Sequence, residues 1–290
     1  MFPVGSTSVV CTATDSRQRT DSCTFSVVVQ QQPRISLTRF EAFGDSITWG
    51  EDGRNSGCGV TSLEIRRFGL RPQCQFPTSQ TYPGALAQKL KDRYPTQLTL
   101  VANAGCPGEA VGAGHDPCYL TNTVAVDRFR TSIDTRVFEA VLLMEGTNDI
   151  FYGDAAQIDP AVASLRTMVQ YAKSRSVRPY LATVPPIIAG APRGFGAALV
   201  PALNAQIRTL ALAENITLVD VWAAFGADFQ QYLGFDGLHP NEAGYAKIAD
   251  TYFSALTTTL EVKATVTTAG TQPPAAPQPR SPYSPVRPRR

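Results

Sequence analysis

Two histidines, His115 and His239, are all the chain has for moving a proton near pH 7 with an unperturbed side chain. His239 stands three residues after an acid in the run Asp236-Gly237-Leu238-His239-Pro240-Asn241. A carboxylate so placed in a loop can accept from Nδ1–H and fix the tautomer, leaving Nε2 to take a proton. His115 has Asp116 beside it, but adjacent side chains tend to point apart, so it reads as surface or rim. A base needs a nucleophile to serve. Gly44-Asp45-Ser46-Ile47-Thr48 supplies a hydroxyl, which attacks poorly until its proton is removed. Two more polar blocks stand out, Asn103-Ala104-Gly105-Cys106-Pro107-Gly108-Glu109 and Gly146-Thr147-Asn148-Asp149. Taken singly, each has a plain reading. Gly-Asp-Ser and Asn148 are turn residues, Gly108 is a tight-turn glycine, and Asp236 could cap a final helix.

The elements around these blocks change that reading. Residues 34–261 alternate short apolar runs with segments of helical period. The strand candidates are Arg39–Phe43, Leu98–Asn103, Ala140–Glu145, Pro179–Val184 and Thr217–Val221, apolar almost throughout as strands buried on both faces must be. The helix candidates are Pro83–Arg93, Asn122–Ile133, Pro160–Ser174, Ala197–Glu214 and Asn241–Leu256. In the third, Val162, Leu165, Met168, Val169 and Ala172 form one stripe, with Asp159-Pro160 as its expected start. Such alternation predicts an α/β fold with a parallel sheet and helices on both faces. Ligands bind such sheets at the carboxyl ends of the strands. The Ser46 block follows the first strand, the Gly108 block the second and the Asn148 block the third. The Asp236–His239 loop comes after the fifth. One sheet edge therefore gathers all four.

In that order the blocks resemble those of the SGNH hydrolases, also called the GDSL esterase/lipase family, over about residues 39–256. The resemblance implies a flavodoxin-like three-layer α/β/α sandwich with a five-stranded parallel sheet. It implies a serine esterase with Ser46 as nucleophile, His239 as base and Asp236 orienting it. The oxyanion donors it implies are the backbone N–H groups of Ser46 and Gly108 and the side-chain amide of Asn148. No cofactor and no metal are expected. The pattern departs from the family in a two-cysteine insertion after Trp49 and in Cys106 within the second block, which leaves the shape of the substrate rim open. A short acyl ester is the expected substrate, since no long apolar segment could act as a lid, and an acetyl ester on a polysaccharide is the alternative. Arg54, Arg66, Arg67 and Arg71 could face an acidic group or simply be solvated.

Other chemistries are excluded or left as rivals. Lys and Arg number 26 against 24 Asp and Glu, which argues against nucleic-acid binding through a basic surface. From Val262 onward there are five basic residues and no acids, so the body itself is mildly acidic. Apolar runs fall far short of a membrane span. Two histidines cannot form a three-His metal site, and no Walker A motif occurs. A carboxylate-pair glycosidase remains a rival, because Asp45, Glu145, Asp149 and Asp236 all fall near the same edge. An adhesion or carbohydrate-binding surface protein is the rival from another class.

Six cysteines lie at 11, 23, 58, 74, 106 and 118. An even count without a Cys-x-x-Cys suggests disulfides and an exported protein. Neighbour pairing (Cys11–Cys23, Cys58–Cys74, Cys106–Cys118) is the simplest connectivity. The last pair would stiffen the Gly108 loop. Residues 1–32 carry two β-branched runs, Ser8–Thr14 and Thr24–Val29, that read as a hairpin. With its two cysteines this stretch resembles the last strands of a hyalin-repeat (HYR) module, an immunoglobulin-like sandwich. The bland alternative is a strand pair docked on the main domain. Residues 262–290, with seven prolines after Gln272, read as a disordered tail. The expected organisation is a hairpin at 1–32, the hydrolase domain at 33–261 and that tail, in a monomer.

Overall fold

Alternating Val, Thr and Ser near the N-terminus pair as expected into a hairpin. The computed structural model describes residues 2–54, 75–112, 124–135 and 137–262. Strands β1 (Gly5–Thr14) and β2 (Thr20–Val29) run antiparallel, with Gly5 opposite Val29 and Thr14 opposite Thr20. Asp15 closes the turn by accepting the N–H groups of Arg17 and Arg19 at 2.8 and 2.9 Å. Cys11 and Cys23 are register partners, yet both are free, exposed thiols. The expected bridge is not made. Directly opposed residues on antiparallel strands keep Cβ atoms about 4.5–5.5 Å apart, wider than the ~3.8 Å mean of a disulfide. Cys58, Cys74 and Cys118 lie outside the described residues, as do His115, Arg66, Arg67, Arg71 and, of the expected tail, residues 263–290.

The second unit spans Gln32–Lys263. Its ends meet in a small antiparallel pair, β3 (Arg34–Ile35) with β9 (Glu261–Val262). Between them lie β4 (Arg39–Gly44), β5 (Leu100–Gly105), β6 (Ala140–Met144), β7 (Arg178–Ala182) and β8 (Thr217–Val219). All five are parallel, in the order β5-β4-β6-β7-β8. The helices are α1 (Ser46–Trp49), α2 (Tyr82–Arg93), α3 (Ala125–Thr135), α4 (Ile158–Ser174), α5 (Val200–Ala213), α6 (Val221–Phe225) and α7 (Glu242–Leu260).

Period-two alternation divides the core between the two faces of the sheet. Phe43, Val141, Leu143 and Leu181 pack with Phe129 of α3, Leu165 and Met168 of α4 and Leu203 and Ile207 of α5. Phe40, Ala42, Leu142, Met144 and Tyr180 face the other way, against Leu86 and Leu90 of α2 and Tyr245, Ile248 and Tyr252 of α7. Burying each such side chain stabilises by about 1.5–3 kcal/mol.

One helix start differs from expectation. Asp159 does not cap α4. Asp154 caps a 3₁₀ turn ahead of it through the N–H of Ala156 at 3.0 Å, while Asp159 Oδ1 accepts from Gln206 Nε2 at 2.7 Å. Pro160 thus lies inside the first turn, where its missing N–H costs nothing. The cap of α7 is Asn241, whose Oδ1 accepts from Gly244 N at 3.1 Å. Pro240 stays outside the helix, and Asp236 is not needed as a cap.

Register decides where the site falls. Gly44 at the end of β4 is level with Gly105 of β5 and Met144 of β6. Strand order reverses between β4 and β6, which opens a crevice at their carboxyl ends. The three loops leaving these strands therefore start side by side.

Candidate active site

Ser46 sits on a sharp elbow. β4 ends at Gly44, Asp45 accepts the N–H of Ile47 at 2.8 Å, and α1 begins at Ser46. A Cβ at Gly44 would lie 2.5 Å from the carbonyl oxygen of Met144 and 2.0 Å from Thr48 Oγ1. Only glycine lets the turn fold this close to β6. As the first helical residue, Ser46 has a backbone N–H without an intrahelical acceptor.

The hydroxyl of Ser46 lies 2.8 Å from His239 Nε2, and His239 Nδ1 lies 2.6 Å from Asp236 Oδ2. Asp236 Oδ1 accepts the N–H groups of Leu238 and His239, each at 3.0 Å. These bonds fold the three-residue spacing into a loop that aims both side chains at Ser46. The loop is anchored from outside as well. Asp236 N donates to Gly53 O at 3.0 Å, Arg193 N to Asp236 O at 2.9 Å and Ile188 N to Gly237 O at 2.8 Å. Burial pushes the Asp236 carboxyl up, but its bond to His239 and the imidazole's charge outweigh this, and its pKa ends below the ordinary value. Asp236 is thus ionised at neutral pH, as an orienting partner must be.

A further carboxylate faces the imidazole. Glu51 Oε2 lies 3.7 Å from His239 Nε2, and Glu51 Oε1 lies 3.3 Å from Arg193 Nη1. Burial pushes the pKa of His239 down. The charges of Glu51 and Asp236, and the bond to Asp236, more than offset it, so the pKa lies above the ordinary 6.5.

The other two loops are tied together. Asn148 Nδ2 donates to the carbonyl of Glu109 at 2.8 Å. Gly108, just before Glu109, is exposed and has φ +80°, a conformation that favours glycine. Arg128 of α3 lies beneath. It bonds both oxygens of the Glu109 carboxylate, donates to Ala104 O at 2.8 Å and lies over the ring of Phe43. Glu145 is wholly buried. Its carboxyl group is set beside that of Glu109, and Arg128 Nη2 is 3.9 Å away. Burial, with the charges of Glu109 and Asp45, holds its pKa well above the ordinary carboxylate range. Asp149 accepts the N–H groups of Val111 and Gly112 at 3.1 and 2.6 Å.

These placements weigh against the glycosidase reading. Asp149 is spent on backbone, Asp45 is a buried cap and Glu145 is interior, so no carboxylate pair of that kind is offered across a substrate. Arg54 pairs with Asp52 and Glu242, each at 2.7 Å, and so is engaged within the protein. Among the described residues no cluster of His, Cys, Asp and Glu could hold a metal ion, and no helix is long and apolar enough to cross a membrane.

Comparison with known proteins agrees with this geometry. The GDSL-like lipase/acylhydrolase family matches residues 42–247. The chain belongs to that family. Its fold is similar to that of an aryl esterase of M. smegmatis, with TM-score 0.60 and 18% identity over 76% of this chain and 99% of that one. A lipase/acylhydrolase of Enterococcus faecalis gives TM-score 0.58 and 18% identity, over 79% of this chain and 100% of that one. A carbohydrate acetylesterase family member of Sinorhizobium meliloti gives 0.58 and 16%, over 77% and 98%. No curated protein matches the chain. As a GDSL-like acylhydrolase the protein is a carboxylic ester hydrolase. Its four sequence blocks account for Ser46, His239, Asp236, Gly108 and Asn148. They do not account for Glu51 and Gly53, which follow Ser46 on the same connection, nor for Arg193 from the loop after β7 or Arg128 of α3. Only Glu109 had a local signal, its place next to Gly108.

Proposed function

We propose that the chain hydrolyses short-chain carboxylic esters through an acyl-enzyme. The reading rests on one observation, the line from Ser46 Oγ to His239 Nε2 at 2.8 Å and from His239 Nδ1 to Asp236 at 2.6 Å. Ser46 attacks the ester carbonyl while its proton passes to His239. The carbonyl oxygen gains the charge and is met by the N–H groups of Ser46 and Gly108 and the amide of Asn148. The imidazolium then protonates the departing alcohol, and water clears the acyl group by the same steps. Ser46→Ala tests this directly. It should abolish turnover of p-nitrophenyl acetate, and a serine-directed phosphonate should label Ser46 in the native chain. Turnover that survives the substitution would refute the reading.

A sugar acetyl ester is a second reading, favoured by the aromatics around the loops. Phe151 packs edge-on against Tyr152 and Phe195, with centroids 5.0 and 5.9 Å apart, and Tyr152, Phe195 and Phe235 are exposed. These residues lie close in sequence to Asn148, Arg193 and Asp236, and clustered exposed apolar groups mark contact surfaces. A panel of acyl lengths together with acetylated xylan separates the readings. Export is part of this proposal. It is supported by the even cysteine count and by Cys106, buried and disulfide-bonded, whereas the free thiols of the hairpin do not contribute to it.

A further inference from the structure

We infer that Glu51 is a positioning residue of the hydrolysis, a second carboxylate that faces the nitrogen receiving the serine proton and stabilises the imidazolium formed there. The inference rests on the esterase reading above and adds to it a residue outside the triad.

Geometry carries the argument. Glu51 leaves the nucleophile elbow directly, since its N–H donates to Ser46 O at 3.0 Å. Its own carbonyl accepts from the Tyr245 hydroxyl of α7 at 2.7 Å. Backbone bonds on both sides thus fix it relative to Ser46. Its side chain is 5% exposed, so little water screens it. The two carboxylate oxygens divide their tasks. Oε1 meets Arg193 at 3.3 Å, while Oε2 faces His239 Nε2 at 3.7 Å. That second distance is too long for a hydrogen bond and short enough for a strong charge interaction in a buried site.

The balance of charge gives each carboxylate a task. The groups facing the imidazole are Asp236 on its own loop, Ser46, Asp45 and Glu51 on the elbow, and Arg193 from the loop after β7. Arg193 also reaches Asp236 Oδ2 at 3.9 Å. Counting Glu51, Asp236 and Arg193 as ionised, the set carries one net negative charge while His239 is neutral. As the Ser46 Oγ–C bond forms, the carbonyl electron pair moves to oxygen and the serine proton moves to Nε2. The set is then neutral, a charge state matched to the moment of reaction. When the imidazolium gives that proton to the leaving alkoxide, the original balance returns. A purely structural ion pair would need Arg193 alone and would not direct Oε2 at Nε2.

Glu51→Gln keeps the size and both backbone bonds and removes the charge. Two measurements read it: the pH profile of p-nitrophenyl acetate hydrolysis, and the NMR titration of the His239 imidazole in a His115→Gln background. Both the acidic limb and the imidazole titration should move to lower pH, because the charge that favours imidazolium is gone. The plateau kcat should fall about tenfold with KM nearly unchanged. A folded Glu51→Gln chain whose imidazole titrates where the wild type does overturns the inference. If that variant does not fold, Glu51→Asp draws the carboxylate back and should move the titration the same way by less, and no movement there is equally fatal. A wild-type chain that hydrolyses no ester sinks the esterase reading, and the imidazole titration still decides the Glu51 contact.

Discussion

Asn148 donates its side-chain amide to the backbone carbonyl of Glu109 at 2.8 Å, joining the loop after β6 to the loop after β5. The two loops begin level with one another across β4, whose own loop carries Ser46. The bond uses one of the two amide hydrogens and fixes the plane of the other. An oxyanion donor needs that kind of preset orientation, because its value lies in not having to reorganise during the reaction.

Asn148→Ala should lower kcat by about 10²–10³, or ~2.7–4 kcal/mol of barrier, the range for losing one oxyanion donor. KM should change little, since the donor acts on charge that develops only in the transition state. Steady-state kinetics on p-nitrophenyl acetate measure both. A variant that raises KM at constant kcat would place Asn148 in ground-state binding instead.

Arg128 supports these loops from below. Arg128→Met would leave the wholly buried Glu109 carboxylate without its cation. Breaking a buried pair on one side costs about 3–5 kcal/mol, so the urea midpoint should fall sharply. Arg128→Met with Glu109→Gln should regain part of the loss, because no uncompensated charge remains. Equal losses in the two variants would show that packing over Phe43 matters more than charge.

Two buried carboxyls make stability fall with pH. Burial raises Asp45 from 3.8 to about 7 and holds Glu145 well above its ordinary 4.5. A group that binds its proton more tightly in the native state contributes stability fully present below its unfolded pKa. For Asp45 that contribution is lost as pH rises from about 4 through about 7. Urea midpoints should therefore decline between pH 5 and 8. Asp45→Asn combined with Glu145→Gln should flatten the decline, and an unchanged slope would show that both groups are ionised in the native chain.

The sheet and the hydrogen-bonded line of Ser46, His239 and Asp236 were legible because each depends on local sequence. Apolar runs buried on both faces mark the strands, and Ser46, Asn148 and the Asp236–His239 loop follow them at short distance. Strand ends shifted by a residue or two, as at Leu100, since a run of apolar residues does not mark where pairing stops. The start of α4 was misplaced because a 3₁₀ turn capped by Asp154 lengthens the helix ahead of Asp159. Arg193, Arg128 and Glu51 could not be read in advance. Arg193 and Arg128 reach the site across a distance in sequence that no spacing rule covers, and Glu51, though it follows Ser46 closely, belongs to none of the four blocks, so that each reads in the chain as an isolated surface charge.

Ester hydrolysis should rise with pH along a limb centred above 6.5. On the proposed mechanism His239 must be neutral to accept the serine proton. Burial alone would lower its pKa, but the charges of Glu51 and Asp236 prevail and hold it above the ordinary value. Protonated enzyme therefore persists to higher pH than a free imidazole would allow. A pH profile of kcat/KM reports this value for the free enzyme. A limb centred below 6.5 would mean that burial wins over the two carboxylates.

Gly53 offers a test of how finely Asp236 is placed. The residue lies beneath the triad loop, and its carbonyl accepts the N–H of Asp236 at 3.0 Å. A Cβ there would stand 2.7 Å from Asp236 Oδ1 and 2.9 Å from the carbonyl oxygen of His239. The first neighbour is a short carboxylate already holding two backbone N–H groups, and the second is backbone, so neither can yield without moving the loop. Gly53→Ala should therefore displace Asp236 and loosen the Nδ1 bond while leaving the distant core untouched. A misplacement of about 1 Å at a catalytic group can cost roughly 10²-fold in rate. Turnover and phosphonate labelling of Ser46 should fall together, because both need the activated hydroxyl, and the far-UV spectrum should match the wild type. Full activity in Gly53→Ala would mean that the loop relaxes without disturbing the imidazole, and that Asp236 tolerates more freedom than its five short contacts imply.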